Sequence, residues 1–385
     1  MKIAVFIGTR PEAIKMAPVI AALGQAEDMQ PVVVSTGQHR EMLQQVVDLF
    51  GITVDHDLAV MRPNQTLAGL TARLMTGIDE LLEQVQPDMA LVQGDTTTVL
   101  VAALACFYRK IPLGHVEAGL RTGNIWSPFP EEANRKLASP LVTLHFPPTQ
   151  LSRRNLLNEG IAEERITVTG NTVIDALQME IRRQQTPEVA SQIADELAES
   201  LGEGWTDHPY VLITGHRREN FGGGFKQICD ALRQLAERFP DHNFIYPVHL
   251  NPNVQTPVYE TLGKLANIKL IKPQGYSHFV ALMHRSTVIL TDSGGVQEEA
   301  PSLGKPVLVM RDTTERPEGV EAGTVKLVGA DTGRIVSHVS ELLTDPQAYR
   351  AMAETANPYG DGQAASRIVA AIRADASSRS RQPAS

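Results

Sequence analysis

Short apolar runs alternate along the chain with longer stretches in which apolar residues recur at helical spacing. The runs predict strands at Ile3–Ile7, Val32–Ser35, Met89–Val92, Leu113–Val116, Val142–His145, Ile166–Val168, Val211–Thr214, Phe244–Pro247, Ile268–Ile271, Val288–Leu290, Val307–Val309 and Val325–Val328. The spacing predicts helices such as Pro11–Leu23, Thr96–Tyr108, Phe225–Arg238, Gly329–Leu343 and Asp361–Ala374. This alternation is typical of βαβ units, whose parallel sheets are covered by helices on both faces.

The pattern resets near residues 175–208, which contain a long polar stretch. We therefore expect two doubly wound α/β domains, one over residues 1–170 and one over 171–361, with a hinge near Gly170–Thr172. Residues 376–385 have no apolar periodicity and are predicted to be a disordered tail. Ligands of such folds bind beyond the carboxyl ends of the strands, so we expect a site in the cleft between the domains.

Composition excludes several classes of protein. The net charge of −9 argues against a general affinity for nucleic acid. Cys106 and Cys229 lie in apolar helical stretches and are expected to be core thiols in a reducing compartment. The sequence has no CxxC pair and no tight cluster of histidines and cysteines, so we expect no metal site. The start, Met1–Gly8, is typical of a first strand rather than a signal peptide. No apolar run approaches the roughly 20 residues that span a bilayer, so we expect a cytoplasmic protein without a membrane partner.

A glycine turn between two predicted strands is the clearest candidate site. Ser293, Gly294 and Gly295 come where a short helix begins, and its unpaired N–H groups there can bind phosphate. Glu298 and Glu299 are expected in the first helical turn, where a carboxylate can accept both ribose hydroxyls. The alternative is an ordinary capped helix with acidic residues in its first turn.

Other loops carry cations, amides and an aromatic side chain. Arg10 and Lys15 put two cations near one helix start, which favours an anionic ligand over solvated charges. His216 and Arg217 can meet phosphate oxygens, although a histidine at a strand end also bonds to backbone. Gln274, Tyr276 and Phe279 are predicted on a loop that can frame a base by stacking and amide contacts. The alternative is that this loop packs against its own domain.

Three acids are predicted at loop positions beside the same cleft. Asp95, Glu117 and Glu131 each follow a strand or open a helix. Any one of them has a structural explanation, and Asp95 alone would be read as a helix N-cap. Together, beside a phosphate site, they favour acid/base chemistry.

The whole set of motifs resembles the bacterial non-hydrolysing UDP-N-acetylglucosamine 2-epimerases. The resemblance runs from residue 1 to about Ile372, and it rests on the segments Gly8–Pro18, Gln38–Met42, Gly94–Thr98, His115–Thr122, Pro130–Arg135, Gly215–Glu219, Asp292–Ser302 and Asn357–Gly362. It implies the GT-B fold, in which two Rossmann-like domains flank the active site. It also implies a C-terminal helix, about 362–375, that packs back on the first domain. The family interconverts UDP-GlcNAc and UDP-ManNAc, usually as a homodimer, without nicotinamide or catalytic metal.

The resemblance also implies roles for individual residues. The substrate contacts are Arg10, Lys15, Asp95, Glu117 and His216. The UDP contacts are Gln274, Phe279, Ser293, Gly294, Gly295, Glu299 and Arg316. The catalytic set is Asp95, Glu117, Glu131 and His216. Some bacterial members bind a second UDP-GlcNAc as an activator, and Gln38, Arg217 and His249 match that site, whereas Glu41 stands where some members have Gln.

The hypothesis that follows is elimination of UDP to 2-acetamidoglucal and re-addition, supplying ManNAc units for surface polysaccharide. Departure of UDP acidifies the neighbouring C2–H, which no carboxylate would otherwise remove. The alternatives are a hydrolysing 2-epimerase, a GT-B glycosyltransferase that uses a UDP-sugar, and a catalytically silent nucleotide-sugar sensor.

Overall fold

The structure, a computed structural model, describes residues 1–37, 40–62, 64–217 and 220–379. By the density of its contacts the chain divides into two compact units. Unit 1 comprises Met1–Ala176 and the chain from Tyr359 onward, and unit 2 comprises Leu177–Pro358. No helix among the described residues is both long and apolar enough to cross a bilayer.

Each unit is built on a parallel sheet that has six strands within the described residues. The strands of unit 1 are β1 (Lys2–Ile7), β2 (Gln30–Ser35), β3 (His56–Asp57), β4 (Met89–Gln93), β5 (Leu113–Val116) and β6 (Leu144–Phe146). Those of unit 2 are β7 (Tyr210–Thr214), β8 (Asn243–Pro247), β9 (Ile268–Ile271), β10 (Val288–Thr291), β11 (Val307–Val309) and β12 (Val325–Leu327). The orders are β3-β2-β1-β4-β5-β6 and β12-β11-β10-β7-β8-β9. Both are the doubly wound Rossmann order, which reverses between β1 and β4 and between β7 and β10.

Helices follow the strands, as the βαβ pattern predicts. They are α1 (Arg10–Gln25), α2 (Arg40–Phe50), α3 (Leu67–Val85), α4 (Thr97–Tyr108), α5 (Glu131–Ala138), α6 (Gln150–Asn158), α7 (Thr172–Gln184), α8 (Pro187–Leu201), α9 (Gly223–Arg238), α10 (Pro252–Leu262), α11 (Tyr276–Arg285), α12 (Gly294–Glu299), α13 (Pro317–Ala322), α14 (Thr332–Thr344), α15 (Pro346–Ala353) and α16 (Ala364–Arg379). The central strands are buried on both faces; β4 and β10 contain no exposed residue. This explains why they read as continuous apolar runs rather than alternating ones.

The chain leaves unit 1 through α7 and returns at Tyr359. The division falls after Ala176 rather than at the expected boundary of 170, because the first turn of α7 is bonded to the returning chain. Asp175 accepts hydrogen bonds from the backbone N–H groups of Ala364 and Ala365, at 3.2 and 2.9 Å. Ala364 is the first residue of helix α16, which packs against α1.

Three sequence expectations need correction. Ile166–Val168 is not a strand; Ile166 makes only an isolated bridge to His145 at the sheet edge. The strand expected at Val142–His145 begins at Leu144, because a 3-10 turn occupies Ser139–Leu141. Residues 376–379, expected to be disordered, form the last turn of α16, where an ion pair joins Arg379 to Asp375 at 2.6 Å. Residues 380–385 lie outside the described residues.

Each unit has its own apolar core. Cys106 belongs to the core of unit 1 and Cys229 to that of unit 2, and both are fully buried. Burial raises the pKa of each thiol to about 12, so both are protonated at neutral pH. Their burial agrees with the prediction that both are core thiols.

Candidate active site

In unit 1, the five predicted side chains lie on loops and helices that come after strands β1, β4 and β5. Arg10 and Lys15 lie on α1, directly after β1, and Asp95 follows β4. Glu117 follows β5, and Glu131 is the first residue of α5, as predicted. Strands β1 and β4 flank the point where the strand order reverses, which is where doubly wound sheets bind ligands.

Glu117 is the most tightly held of the acids. It is buried, and its φ of 62° lies in the left-handed region. Lys15 Nζ donates to both carboxylate oxygens, at 2.6 and 2.8 Å. Asn171 Nδ2 donates to Oε1 at 3.0 Å, and Gln93 Nε2 donates to Oε2. These bonds come from N–H donors, which an ionised carboxylate accepts best.

Asp95 is held by Arg135, a contact that the sequence did not reveal. Arg135 donates to Asp95 Oδ2 from Nε at 3.0 Å and from Nη2 at 2.5 Å. Asn134 Nδ2 donates to the backbone oxygen of Asp95 at 2.8 Å. The N-cap of α4 is Thr96, so the alternative reading of Asp95 as a helix cap was wrong.

Arg135 is itself held by Glu132. This carboxylate accepts from Arg135 Nη1 at 3.0 Å and from the N–H groups of Thr122 and Gly123, each at 3.1 Å. Burial alone would raise the pKa of Glu132, but these hydrogen bonds outweigh burial and lower it. Glu132 therefore fixes both Arg135 and the loop that leads to Glu131.

Glu12 ties together the turns after β1 and β4. Its carboxylate accepts from the N–H groups of Gly8 and Thr9, at 2.9 and 2.7 Å, and from Thr96 Oγ1 at 2.6 Å. Burial raises its pKa despite these hydrogen bonds. Because Thr9 precedes Arg10 and Thr96 follows Asp95, Glu12 sets the spacing of two predicted site residues.

His115 holds the loop that precedes Asp95. Its Nε2 lies 2.6 Å from the backbone oxygen of Gly94. Burial lowers its pKa to about 4, so at neutral pH the ring is neutral. Since a carbonyl oxygen only accepts, Nε2 carries the hydrogen and fixes the residue before Asp95.

In unit 2 the predicted residues surround a pocket of about 210 Å³. The unit 2 pocket is lined by Thr214, Gly215, His216, Pro247, His249, Pro273, Gln274, Phe279, Ser293 and Val296. His216 follows β7 and Ser293 follows β10, the two strands at which this order reverses. Four residues chosen from sequence for UDP or substrate, His216, Gln274, Phe279 and Ser293, thus meet in one cavity.

Asp292, which the sequence analysis did not single out, holds the His216 loop. It is fully buried, and its Oδ2 accepts from the N–H groups of His216 and Arg217, both at 2.8 Å. Its Oδ1 lies 3.3 Å from His216 Nδ1. Burial lowers the pKa of His216, Arg217 and His249 lower it further, and Asp292 opposes them. His216 is therefore neutral at neutral pH.

Two residues predicted for a second ligand lie beside His216. The rings of His249 and His216 stack with centroids 5.6 Å apart at 20°. Arg217 shares the Asp292 anchor described above. Gln38, the third residue of that prediction, lies outside the described residues.

The glycine turn after β10 differs from its prediction in one respect. Ser293 precedes α12 as expected, but Glu298 and Glu299 end this short helix instead of lying in its first turn. The helix has only six residues, so acids at its fifth and sixth positions belong to its last turn. Glu299 accepts from Tyr276 Oη at 3.2 Å.

Arg316 packs directly on the glycine turn. Its Nε donates to Glu298 Oε1 at 2.5 Å, and a Cβ at Gly294 would stand 2.5 Å from Nη1 and 2.7 Å from Cζ. A side chain at position 294 would thus displace the guanidinium. The sequence proposed Arg316 as a UDP contact, and the structure brings it to the predicted anion turn.

Two Rossmann-type sheets, one with a pocket and one with acids beside the point where the strand order reverses, define an α/β protein of the Rossmann-like class. A family model described as UDP-N-acetylglucosamine 2-epimerase matches residues 21–373. The UDP-N-acetylglucosamine 2-epimerases of Escherichia coli K12 and Yersinia pestis are 54% and 55% identical over 373 and 374 residues, 97% of this chain and 98% of theirs.

A solved structure gives the same result. The UDP-GlcNAc 2-epimerase of Neisseria meningitidis, bound to UDP-GlcNAc, is 49% identical and superposes with a TM-score of 0.88, covering 97% of this chain and all of that one (100%). The chain therefore belongs to the UDP-N-acetylglucosamine 2-epimerase family, and the resemblance seen in the sequence is confirmed.

Proposed function

We propose that this protein is an isomerase that interconverts UDP-GlcNAc and UDP-ManNAc without hydrolysis. The observation that carries the proposal is identity above one half to UDP-N-acetylglucosamine 2-epimerases along 97% of the chain. The tightly held acids of unit 1 and the pocket of unit 2 support it, because inversion at a sugar carbon needs both acid/base groups and a site for the nucleotide.

The chemistry sets the order of events. The C2–H bond of the sugar is not next to a carbonyl, so a carboxylate cannot remove its proton directly. Departure of UDP from C1 develops positive charge at C1 and acidifies the C2–H. Loss of that proton gives 2-acetamidoglucal and UDP, and re-addition with protonation on the opposite face of C2 gives the epimer.

In this proposal the unit 2 pocket holds UDP. Phe279 and Gln274 would frame the base, and Glu299 would accept from the ribose hydroxyls. The diphosphate would lie against the N–H groups of the glycine turn and the Arg316 guanidinium, which can stabilise the negative charge of departing UDP. His216, on the loop that Asp292 holds, would meet the same phosphates.

The unit 1 acids would serve the sugar. Glu117 and Asp95 are held in place, by Lys15 and Arg135 respectively, so each can present a fixed negative charge to the cation that develops at C1. Glu131 opens α5 and is partly exposed, which suits a group that exchanges protons. With Arg10 and Lys15 as substrate contacts, the catalytic set is then Asp95, Glu117, Glu131 and His216.

The proposal extends to regulation, assembly and location. Arg217 and His249, with Gln38, would bind a second UDP-GlcNAc as an activator, as the resemblance implies. A homodimer is supported by Phe107 and Tyr108, two adjacent aromatic residues that are exposed at the end of α4. We place the enzyme in the cytoplasm, where free core thiols persist, and its product in surface polysaccharide.

The test is product analysis by NMR after incubation with UDP-GlcNAc and no acceptor. We expect UDP-ManNAc at equilibrium with UDP-GlcNAc. Free ManNAc with stoichiometric UDP would instead indicate a hydrolysing enzyme, and unchanged UDP-GlcNAc would contradict the proposal.

Amide variants of the acids connect that activity to the proposed site. Loss of an acid/base group costs about 10²- to 10⁴-fold in turnover. We expect reductions of this size, with UDP affinity within about threefold of the wild type, for Asp95→Asn, Glu117→Gln and Glu131→Gln. Near-normal turnover in all three would contradict the assignment.

A further inference from the structure

Glu117 has a neighbour whose role is not explained by the reaction itself. Asn171 is buried at the start of α7, and its Nδ2 donates to Glu117 Oε1 at 3.0 Å. The orientation of this amide is fixed, because its Oδ1 accepts from the backbone N–H of Val173 at 3.1 Å. If the amide were rotated by 180°, Nδ2 would face the Val173 N–H, which caps α7, and Oδ1 would face a carboxylate oxygen of Glu117. Asn171 therefore donates to Glu117.

Asn171 is in turn anchored by the chain that returns from unit 2. Its backbone N–H donates to the oxygen of Tyr359 at 2.7 Å. Next to it, Gly170 and Gly360 pass closely, since a Cβ at Gly170 would stand 3.3 Å from Gly360 Cα. With φ at +87°, Gly170 also has a backbone conformation that other residues rarely adopt.

These contacts form one continuous connection from Tyr359 through Asn171 to Glu117. Lys15 reaches the same carboxylate along a flexible side chain, whereas Asn171 reaches it from backbone that is bonded on both sides. We propose that Asn171 is a positioning residue that directs the Glu117 carboxylate, so that the returning segment controls the geometry of catalysis. The inference rests on the proposed function of Glu117.

Two substitutions separate this role from capping of α7. Asn, Asp and Ser are nearly equal as N-caps, so Asn171→Ser and Asn171→Asp both keep an acceptor for Val173. Serine is too short to reach Glu117. Aspartate places a second carboxylate beside Glu117, which disfavours ionisation of the pair.

We expect both variants to bind UDP normally, because the unit 2 pocket is untouched. Asn171→Ser should melt close to the wild type, whereas Asn171→Asp should melt lower at neutral pH, because a carboxyl pKa that folding raises destabilises the folded protein above that pKa. A misplacement of about 1 Å costs up to about 10²-fold in rate. The kcat of Asn171→Ser should therefore fall about 10- to 100-fold with little change in KM. In Asn171→Asp, the acid limb of the pH profile should also move to higher pH by about one unit or more.

The matched control is Asn267→Ser in unit 2. Asn267 Nδ2 donates to the backbone oxygens of Ala236, Phe239 and His242, at 3.0, 3.2 and 3.1 Å, which is a structural role alone. This variant should melt lower and keep the wild-type pH profile. A wild-type kcat and pH profile in Asn171→Ser and Asn171→Asp would overturn the inference.

A second readout does not require activity. The Glu117 carboxyl resonance in protein labelled with ¹³C at Glu Cδ is assigned by its loss in Glu117→Gln, and its titration should shift to higher pH in Asn171→Asp. An unshifted titration would overturn the inference even if the wild type formed no UDP-ManNAc. Inactivity of the wild type contradicts the proposed function alone.

Discussion

Replacing Asp292 by alanine tests whether this buried carboxylate holds the His216 loop. The change leaves two backbone donors, of His216 and Arg217, without their acceptor. An unsatisfied buried donor costs about 1–3 kcal/mol, so two would cost about 2–6 kcal/mol. Because the His216 side chain is 42% exposed, water will reach part of the loop, and we expect about 2–4 kcal/mol.

For a unit the size of unit 2, this loss corresponds to a melting temperature lower by roughly 5–15 °C. Differential scanning calorimetry of the wild type and Asp292→Ala measures it, and titration calorimetry with UDP measures the accompanying loss of affinity. Asp292→Asn keeps an oxygen that accepts both N–H groups, so it should retain most of the stability.

The control is Asp241→Ala, which removes an exposed acid on the turn before β8 and should change stability by less than about 0.5 kcal/mol. An Asp292→Ala protein that melts with the wild type and binds UDP equally well would refute the reasoning.

Two further predictions concern steric room and pH. Gly294→Ala should weaken UDP binding about tenfold or more, because the new methyl group would displace the Arg316 guanidinium. Titration calorimetry measures the affinity for UDP. Gly295→Ala is the milder comparison, because the nearest neighbour of its methyl group would be 3.6 Å away. Burial lowers the pKa of His145 to about 3, so its contribution to stability is complete above pH 6.5 and is lost as pH falls toward 3. Between pH 7.5 and 5 the free energy of unfolding should fall by about 2 kcal/mol because of His145. Urea unfolding of His145→Leu should lack this part of the pH dependence. An equal pH dependence in the wild type and the variant would contradict the prediction.

The sequence predicted the fold well where burial produces continuous apolar runs. Strands β5 and β11 have the predicted bounds, since a strand inside a parallel sheet has no polar face to obscure its pattern. Strand β9 also has the predicted bounds, although it lies at the edge of its sheet. It could not predict β3, because a two-residue strand at a sheet edge carries no periodicity. It placed a strand at Ile166–Val168, where apolar residues pair only once with the edge.

Of the site, the sequence predicted the residues that present chemistry but not those that hold them. Asp95 and Glu117 follow strands and stand out as acids in loops. Arg135 and Asn171 are distant in sequence from the acids that they contact, so no local spacing indicates the pairing. Asp292 directly precedes the glycine turn. An acid placed immediately after a continuous apolar strand was the sequence signal that could have identified it.

Passage through a glucal that has lost its C2 proton is the central claim of the proposed function, and deuterium incorporation tests it most directly. The wild-type protein is incubated with UDP-GlcNAc in deuterated water, and the UDP-ManNAc formed is examined by proton NMR and mass spectrometry. If UDP leaves before C2 is reprotonated from the opposite face, each molecule of UDP-ManNAc should carry one deuterium at C2. UDP-ManNAc with protium at C2 after full equilibration would contradict the account.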